Sequence, residues 1–134
     1  MYGSLDISTS GLIANRVRLE AISANIANAE SIVNDAGQYE PFRRRIVNFA
    51  AGDGAANETE GVHVASIDQD QAPPRMKYEP GSPFANADGY VGYPNVDIVI
   101  EQMNAMEAQR SYEANITVVE ATKTMMNAAL QLLA

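Results

Sequence analysis

The residue types that most often carry catalysis or bind metals are scarce in this sequence. It contains no cysteine and a single histidine, His63, so it offers no thiolate nucleophile and no pair of histidines for a metal site. Asp68 and Asp70 are spaced like the start of a calcium loop, but the glycine and terminal glutamate of such a loop are missing. Residues 52–54 (Gly-Asp-Gly) lack the Gly-Lys-Ser/Thr of a phosphate-binding loop. We therefore expect no enzymatic activity, no cofactor and no small-molecule substrate.

The balance of charges disfavours nucleic acid as a partner. Nine Lys and Arg residues stand against 17 Asp and Glu residues, which gives a net charge of −8. Affinity for nucleic acid rests on cationic contacts to phosphates, so an acidic chain is poorly suited to it. The most compact basic cluster is Arg43, Arg44 and Arg45. This cluster either contacts an acidic surface on a partner protein or is a solvated basic stretch, and both interpretations stay open.

Residues 4–30 are predicted to form a helix with an apolar stripe. Leu5, Leu12, Leu19 and Ile26 recur every seven residues, and Ile22 lies three residues after Leu19. A seven-residue apolar repeat is typical of helices that pair as coiled coils. At 1.5 Å per residue the helix is roughly 40 Å long.

A second, longer helix is predicted over residues 96–134, where neither glycine nor proline occurs. Asn95 or Asp97, just after the last proline, can supply its start signal. The helix could reach roughly 58 Å. The positions of its seam alternate four and three residues apart, and two of them, Gln109 and Lys123, are polar and interrupt the apolar surface. The seam contains Tyr112, Ile116, Val119, Met126, Leu130 and Leu133.

Residues 31–94 differ in character from both flanking segments, because all six prolines and seven of the nine glycines fall there. Alternating runs at 45–49, 62–67 and 75–78 predict two or three short strands, and a turn at Asp88-Gly89 precedes a short extended piece. The acidic, small-residue-rich stretch around 50–60 is expected to be a mobile loop. His63 is either a half-buried structural histidine or a pH switch.

Together these parts predict a mainly α protein with a small β-rich insert. The segments 1–30 and 96–134 form one helical domain, in which the two helices pair as an antiparallel coiled coil, and residues 31–94 are inserted between them. The second helix is longer than the first, and both carry further apolar residues beside their stripes. Pairing within one chain cannot cover all of this apolar surface, so we expect self-association.

Several motifs resemble those of a known family. The S-x-N-[IL]-A-N pattern at residues 23–28 is similar to the signature of the flagellar rod, hook and hook-associated proteins. Residues 43–49, 89–97 and 108–115 resemble the short proximal-rod members of that family, so the resemblance covers nearly the whole chain in order. The motif residues expected to make subunit contacts are Asn25, Ile26, Ala27, Asn28, Gly89, Tyr90, Pro94, Asn95, Val96, Arg110, Tyr112 and Asn115.

The resemblance implies a structural subunit of the bacterial flagellar basal body. Members of this family are exported through the flagellar type III apparatus without a cleaved signal peptide. They then assemble helically into the rod within the periplasm, a hollow driveshaft that transmits motor torque to the hook and forms part of the export channel. Implied partners are copies of the chain, other proximal and distal rod proteins, and neighbours in the export apparatus and the MS ring.

Two alternatives stay open. The side chains of Asn25 and Asn28 either form hydrogen bonds that set the helix end and its meeting with a neighbouring subunit, or are ordinary C-terminal caps in the left-handed conformation. The whole chain could instead be a small helical adaptor or secretion chaperone that binds a partner helix in a groove. Such a chaperone would fold alone as a stable dimer.

Overall fold

The computed structural model describes residues 2–52 and 61–134, which form two long helices and two small sheets. In chain order the elements are α1 (Tyr2–Ala27), β1 (Arg45–Ala51), β2 (Val62–Gln69), β3 (Arg75–Tyr78), β4 (Tyr90–Tyr93) and α2 (Ile98–Leu133). The prediction of terminal helices around a small strand-rich insert is confirmed. The predicted mobile loop at 50–60 lies outside the described residues from position 53 onward.

The start of α2 is defined by Asp97. Its side chain accepts hydrogen bonds from the backbone N–H groups of Val99 and Ile100, at 2.9 and 3.3 Å. Such a cap satisfies two of the N–H groups that have no partner within the helix. Of the two predicted start signals, Asp97 is therefore the one that the structure uses.

The two helices lie side by side in antiparallel directions. Gly11 of α1 faces the side chain of Asn115, Arg18 lies 4.0 Å from Glu107, and Asn25 lies 3.2 Å from Glu101. As the residue numbers increase along α1, the numbers of the residues that they face on α2 decrease, so the helices are antiparallel. Neither helix, as described, has a stretch of the length and hydropathy that a membrane span requires.

The strands form two separate antiparallel pairs. β1 and β2 pair from Arg45 opposite Gln69 to Ala51 opposite Val62, with a register shift between Asn48 and Phe49. β3 and β4 form the second pair. The β1–β2 pair packs against α1, where the backbone N–H of Val62 donates to Ser10 Oγ at 3.0 Å.

His63 helps to close the end of the β1–β2 pair. It is half-buried in β2, and its Nδ1 lies 2.8 Å from the carbonyl oxygen of Gly52, just beyond the last residue of β1. This contact favours the structural interpretation of His63 over a pH switch.

The apolar core of the described residues is small. Its buried hydrophobic side chains are Ala14, Ala21, Ile22, Ala29, Val91, Tyr93, Val96 and Ala108. Half of these are alanine, so few large aliphatic side chains are buried within the chain. Most of the large apolar surface of the helices therefore lies outside the core.

Candidate assembly interface

The buried face of α1 is made mainly of small and polar side chains. Its members follow one another in steps of one, three and six residues, which keeps them on one side of the helix. They are Ser8, Gly11, Ala14, Asn15, Ala21, Ile22 and Asn25. A Cβ added at Gly11 would lie 2.9 Å from Asn115 Nδ2, so α2 approaches α1 closely at this point.

The facing side of α2 has the same character. Glu101, Ala108 and Thr122 are buried, and half-buried Asn115 stands between the last two at the same seven-residue spacing. Thr122 donates to the carbonyl oxygen of Val118 at 2.8 Å, and Asn115 donates to that of Ser111 at 2.9 Å. Both side chains donate to carbonyl groups of their own helix, so they keep a hydrogen bond where the two helices approach closely.

The large residues of the predicted α1 stripe lie at the edge of this contact. Leu5, Leu12, Leu19 and Ile26 are half-buried, and Ile22 alone is buried. The face of α1 that is buried against the rest of the chain thus lies beside the predicted leucine stripe. Its small side chains allow closer helix packing than leucines would.

The predicted seam of α2 divides into two groups. Tyr112, Val119 and Met126 are half-buried and flank the buried positions. Ile116 is exposed, and Leu130 and Leu133 are 62% and 85% exposed. Whether all six residues form a seam in an assembled state stays a prediction.

The difference in helix length explains why the end of α2 is exposed. α1 has 26 residues and α2 has 36. Gly11 faces Asn115, and both helices rise 1.5 Å per residue in opposite directions. The first residue of α1 therefore lies beside about residue 124 of α2. The last turns of α2, which carry Leu130 and Leu133, therefore extend beyond α1 and have no helix opposite them.

A buried polar cluster, here called the polar junction, joins both helices to the β1–β2 pair. It consists of Asn25, Arg44, Glu101 and Asp70. Asn25 and Glu101 are each 1% exposed, and Asn25 Nδ2 donates to Glu101 Oε2 at 3.2 Å. Arg44 Nε pairs with Glu101 Oε1, and Arg44 Nη1 lies 3.6 Å from Asp70 Oδ2. The charge of Glu101 is thus compensated where water cannot reach it.

The three consecutive arginines have different surroundings. Arg43 donates to the carbonyl oxygen of Asp70 at 3.5 Å and is exposed, whereas Arg44 belongs to the polar junction. The guanidinium of Arg45 lies 5.6 Å from the ring centroid of Phe42. One arginine of the cluster is therefore occupied within the chain, and contact of Arg43 and Arg45 with a partner stays a prediction.

The helix-end motif fastens α1 to β1. Asn25 Nδ2 donates to the carbonyl oxygen of Arg45 at 3.0 Å, and the N–H of Arg45 donates to Asn25 Oδ1 at 2.8 Å. Asn28 Nδ2 donates to the carbonyl oxygen of Ala24 at 2.8 Å. Among the described residues only glycines have positive φ, so neither asparagine is a left-handed cap. Ile26 is half-buried and Ala27 is exposed.

The second motif surrounds the β4–α2 connection. Gly89 has φ +82°, a conformation that favours glycine, and a Cβ there would lie 3.0 Å from the Tyr78 ring. The rings of Tyr78 and Tyr90 meet edge to face at 5.3 Å. Pro94 and Val96 are buried and Asn95 is exposed. Most of this motif therefore orients the chain as it enters α2.

A small charged group lies on the β3–β4 side of the molecule. Lys77 Nζ is 3.0 Å from Glu79, and Tyr93 donates its hydroxyl hydrogen to Glu79 at 2.9 Å. The hydrogen bonds from Lys77 and Tyr93 lower the pKa of Glu79. The same carboxylate raises the pKa of Lys77 and, together with burial, the pKa of Tyr93. These contacts tie the two strands together at their surface.

Two further motif residues lie along α2. Asn115 packs against Gly11, as described above, whereas Arg110 is exposed and forms no ion pair within residues 2–52 and 61–134. Arg110 lines a surface groove of about 430 Å³ together with Met103, Asn104, Met106, Glu107 and Ser111.

Glu101 is not among the residues predicted from the sequence, although its carboxylate joins α2 to Asn25 of α1 and to Arg44, just before β1. Glu101 lies seven residues before Ala108, in the row 101, 108, 115 and 122, which lies beside the predicted four-three seam of α2 and not on it. From the sequence alone, an acidic residue next to Ile100 is compatible both with an exposed side chain and with a buried ion pair. The partner that decides between them, Arg44, lies 57 residues away in the sequence.

Comparison with known proteins finds relatives along nearly the whole chain. A family model described as flagella basal body rod protein matches residues 5–30, and one described as flagellar basal body rod FlgEFG protein C-terminal matches residues 87–132. The flagellar basal-body rod protein FlgC of Salmonella typhimurium is 46% identical over 127 residues, which cover 95% of this chain and 93% of that protein. The proteins of the same name from Bacillus subtilis and Borreliella burgdorferi are each 37% identical, over 98% and 99% of this chain and 97% of theirs.

Proposed function

Since the chain belongs to the FlgC family of flagellar basal-body rod proteins, we propose that its two terminal helices build part of the wall of the rod. Copies of the chain and other rod proteins assemble helically into a hollow driveshaft, which transmits motor torque to the hook and surrounds part of the export channel. Family membership favours this function over that of a helical adaptor or secretion chaperone.

The observation that carries the proposal is the uneven distribution of apolar side chains on α2. Within the chain, α2 meets α1 through alanine, asparagine and threonine, whereas its large apolar side chains face outward. Those that are more than half exposed are Val99, Ile100, Met103, Met106, Met125, Leu130, Leu132 and Leu133. Full burial of such a side chain is worth roughly 1.5–3 kcal/mol, so neighbouring subunits gain much by covering them.

In the assembled rod the predicted seams become contacts between neighbouring helices. Leu5, Leu12, Leu19 and Ile26 then meet helices of adjacent subunits, in coiled-coil fashion, as do Leu130 and Leu133 of α2. The segment 31–94 lies outside this helical layer and meets other partners, for which Arg43 and Arg45 provide an exposed basic surface. Repeating a modest interface many times makes such an assembly stiff.

The route to the rod follows from the same proposal. The chain crosses the inner membrane through the flagellar export apparatus without a cleaved signal peptide and assembles in the periplasm. Its neighbours there are other rod proteins, the export apparatus and the MS ring. The absence of cysteine suits a chain that passes through an oxidising compartment before it folds.

The proposal is tested by electron microscopy of basal bodies isolated from cells that lack this chain. We expect rings without a complete rod and cells without motility, with both restored by a plasmid that carries the native sequence. Complete rods in the deleted strain would contradict a structural role in the rod.

A further inference from the structure

Methionine supplies all of the sulfur in this chain. The sequence contains six methionines and no cysteine. The thioether of methionine can be oxidised to a sulfoxide, which turns a flexible apolar side chain into a polar one. In an oxidising compartment, the methionines are therefore the only sulfur atoms of the chain that can be oxidised.

Three of the methionines lie on the outward side of α2 and are here called the outward methionines. Met103, Met106 and Met125 are 65%, 56% and 61% exposed. At 3.6 residues per turn they fall within about 100° of one another around the helix. The buried row that contains Ala108 and Thr122 lies outside this arc. The outward methionines thus belong to the apolar surface that neighbouring subunits cover in the proposed rod.

Two of the outward methionines have hydrogen-bond donors beside them. Met103 and Met106 line the surface groove that also contains Asn104, Arg110 and Ser111. The sulfoxide oxygen is a polar acceptor, whereas the side chains of these three neighbours carry N–H and O–H donors. Once oxidised, the two methionines would find polar partners in the groove and would no longer present an apolar surface to a neighbouring subunit.

We propose that the outward methionines form a redox-sensitive switch that controls assembly, an inference that rests on the proposed function. The thioether sulfur attacks one oxygen of hydrogen peroxide, so that the O–O bond breaks and an S–O bond forms. The sulfur gives up an electron pair, and the departing hydroxide takes the remaining proton and leaves as water. Burial of the sulfoxide against an apolar neighbour is unfavourable, so the oxidised chain does not join the rod. After assembly, the covering subunits protect the same thioethers.

The switch is tested with the native chain in growing cells. Cells are exposed to a sublethal concentration of hydrogen peroxide while they assemble flagella, and the chain is recovered from basal bodies and from the unassembled pool. Peptide mass spectrometry gives the sulfoxide fraction at each methionine. We expect the outward methionines to carry roughly tenfold less sulfoxide in basal bodies than in the unassembled pool. Equal fractions in the two pools would overturn the proposal.

Leucine variants separate exclusion of the oxidised chain from protection after assembly. The triple variant Met103→Leu, Met106→Leu and Met125→Leu keeps apolar side chains of similar size without sulfur. Met76→Leu is the matched control, because Met76 is 51% exposed but lies on β3. Each chain is induced, in the presence of peroxide, in cells that lack the native one.

We expect the triple variant to restore swimming at peroxide concentrations at which the native chain and the Met76→Leu chain fail. Equal peroxide sensitivity of the triple variant and the native chain would overturn the switch. The measurement on the native chain does not depend on how well the variants assemble. If the native chain is absent from basal bodies even without peroxide, the proposed function itself fails. If it is present there with as much sulfoxide as in the unassembled pool, only the switch fails.

Discussion

Glu101 shows how one side chain can fasten distant parts of this chain together. It is buried, yet it accepts from Asn25 of α1 and pairs with Arg44 at the entrance to β1. A buried ion pair gives little net stability compared with well-packed apolar residues, but removal of one member leaves the other uncompensated. The polar junction therefore acts by specifying how the helices and the β1–β2 pair meet.

Replacement of Glu101 by alanine is expected to lower the free energy of unfolding by about 3 kcal/mol, because Arg44 and Asn25 lose their shared acceptor. Urea unfolding of the purified chain, followed by circular dichroism, measures the change. Glu107→Ala is the matched control, since Glu107 lies on the same helix as Glu101 but is exposed, 4.0 Å from Arg18 of α1. Its expected effect is below about 1 kcal/mol. Equal losses of unfolding free energy in the two variants would show that the polar junction stabilises the fold no more than an exposed ion pair does.

At the same scale, the helix-end motif was recognisable from sequence but its contacts were not. Residues 23–28 pointed to a hydrogen-bonding role for Asn25. The motif could not show that the partner is the backbone of Arg45, 20 residues further along the chain. Side-chain amides serve equally well as caps, turn residues and bridges between elements, and only the tertiary structure decides among these uses.

Among the elements, local signals predicted the strands and the start of α2 well. The alternation at 45–49, 62–67 and 75–78 corresponds to β1, β2 and β3, and Asp97 caps α2. These features depend on residues close together in the sequence and can therefore be predicted from short segments. The face through which the helices meet was harder to predict, because a seven-residue apolar repeat shows only that one face of a helix is buried against another element. It does not reveal whether the cover comes from the same chain or from another.

The end of α2 offers a direct test of that distinction. Leu130 is 62% exposed and lies beyond α1, so Leu130→Asp is expected to change the free energy of unfolding of the single chain by less than about 1 kcal/mol. In the rod the same change buries an unpaired carboxylate, so we expect motility to be lost. Soft-agar swimming of cells carrying the variant measures this effect.

Leu130→Met is the control for this position, because it keeps the side chain apolar and similar in size. Cells with this variant are expected to swim like the native strain. Normal swimming of the Leu130→Asp strain would mean that the last turns of α2 remain in water after assembly.

At the scale of the whole molecule, the chain combines a small core with long, partly covered helices. The buried hydrophobic side chains of the described residues are half alanine, whereas methionine and leucine side chains of α2 face outward. A single chain built in this way retains apolar surface that only association can remove from water. This arrangement suits a subunit whose working state is an assembly, as in the FlgC family to which the chain belongs.

The most direct measurement is the reactivity of a thiol placed at Leu130, compared between the dilute purified chain and isolated basal bodies. We expect Leu130→Cys to react with a maleimide roughly tenfold more slowly in the basal bodies, because reaction there requires local opening of a covered site. Basal bodies dissociated in denaturant serve as the control and should recover full reactivity. Equal rates in the intact basal bodies and the free chain would contradict the conclusion that neighbouring subunits cover α2.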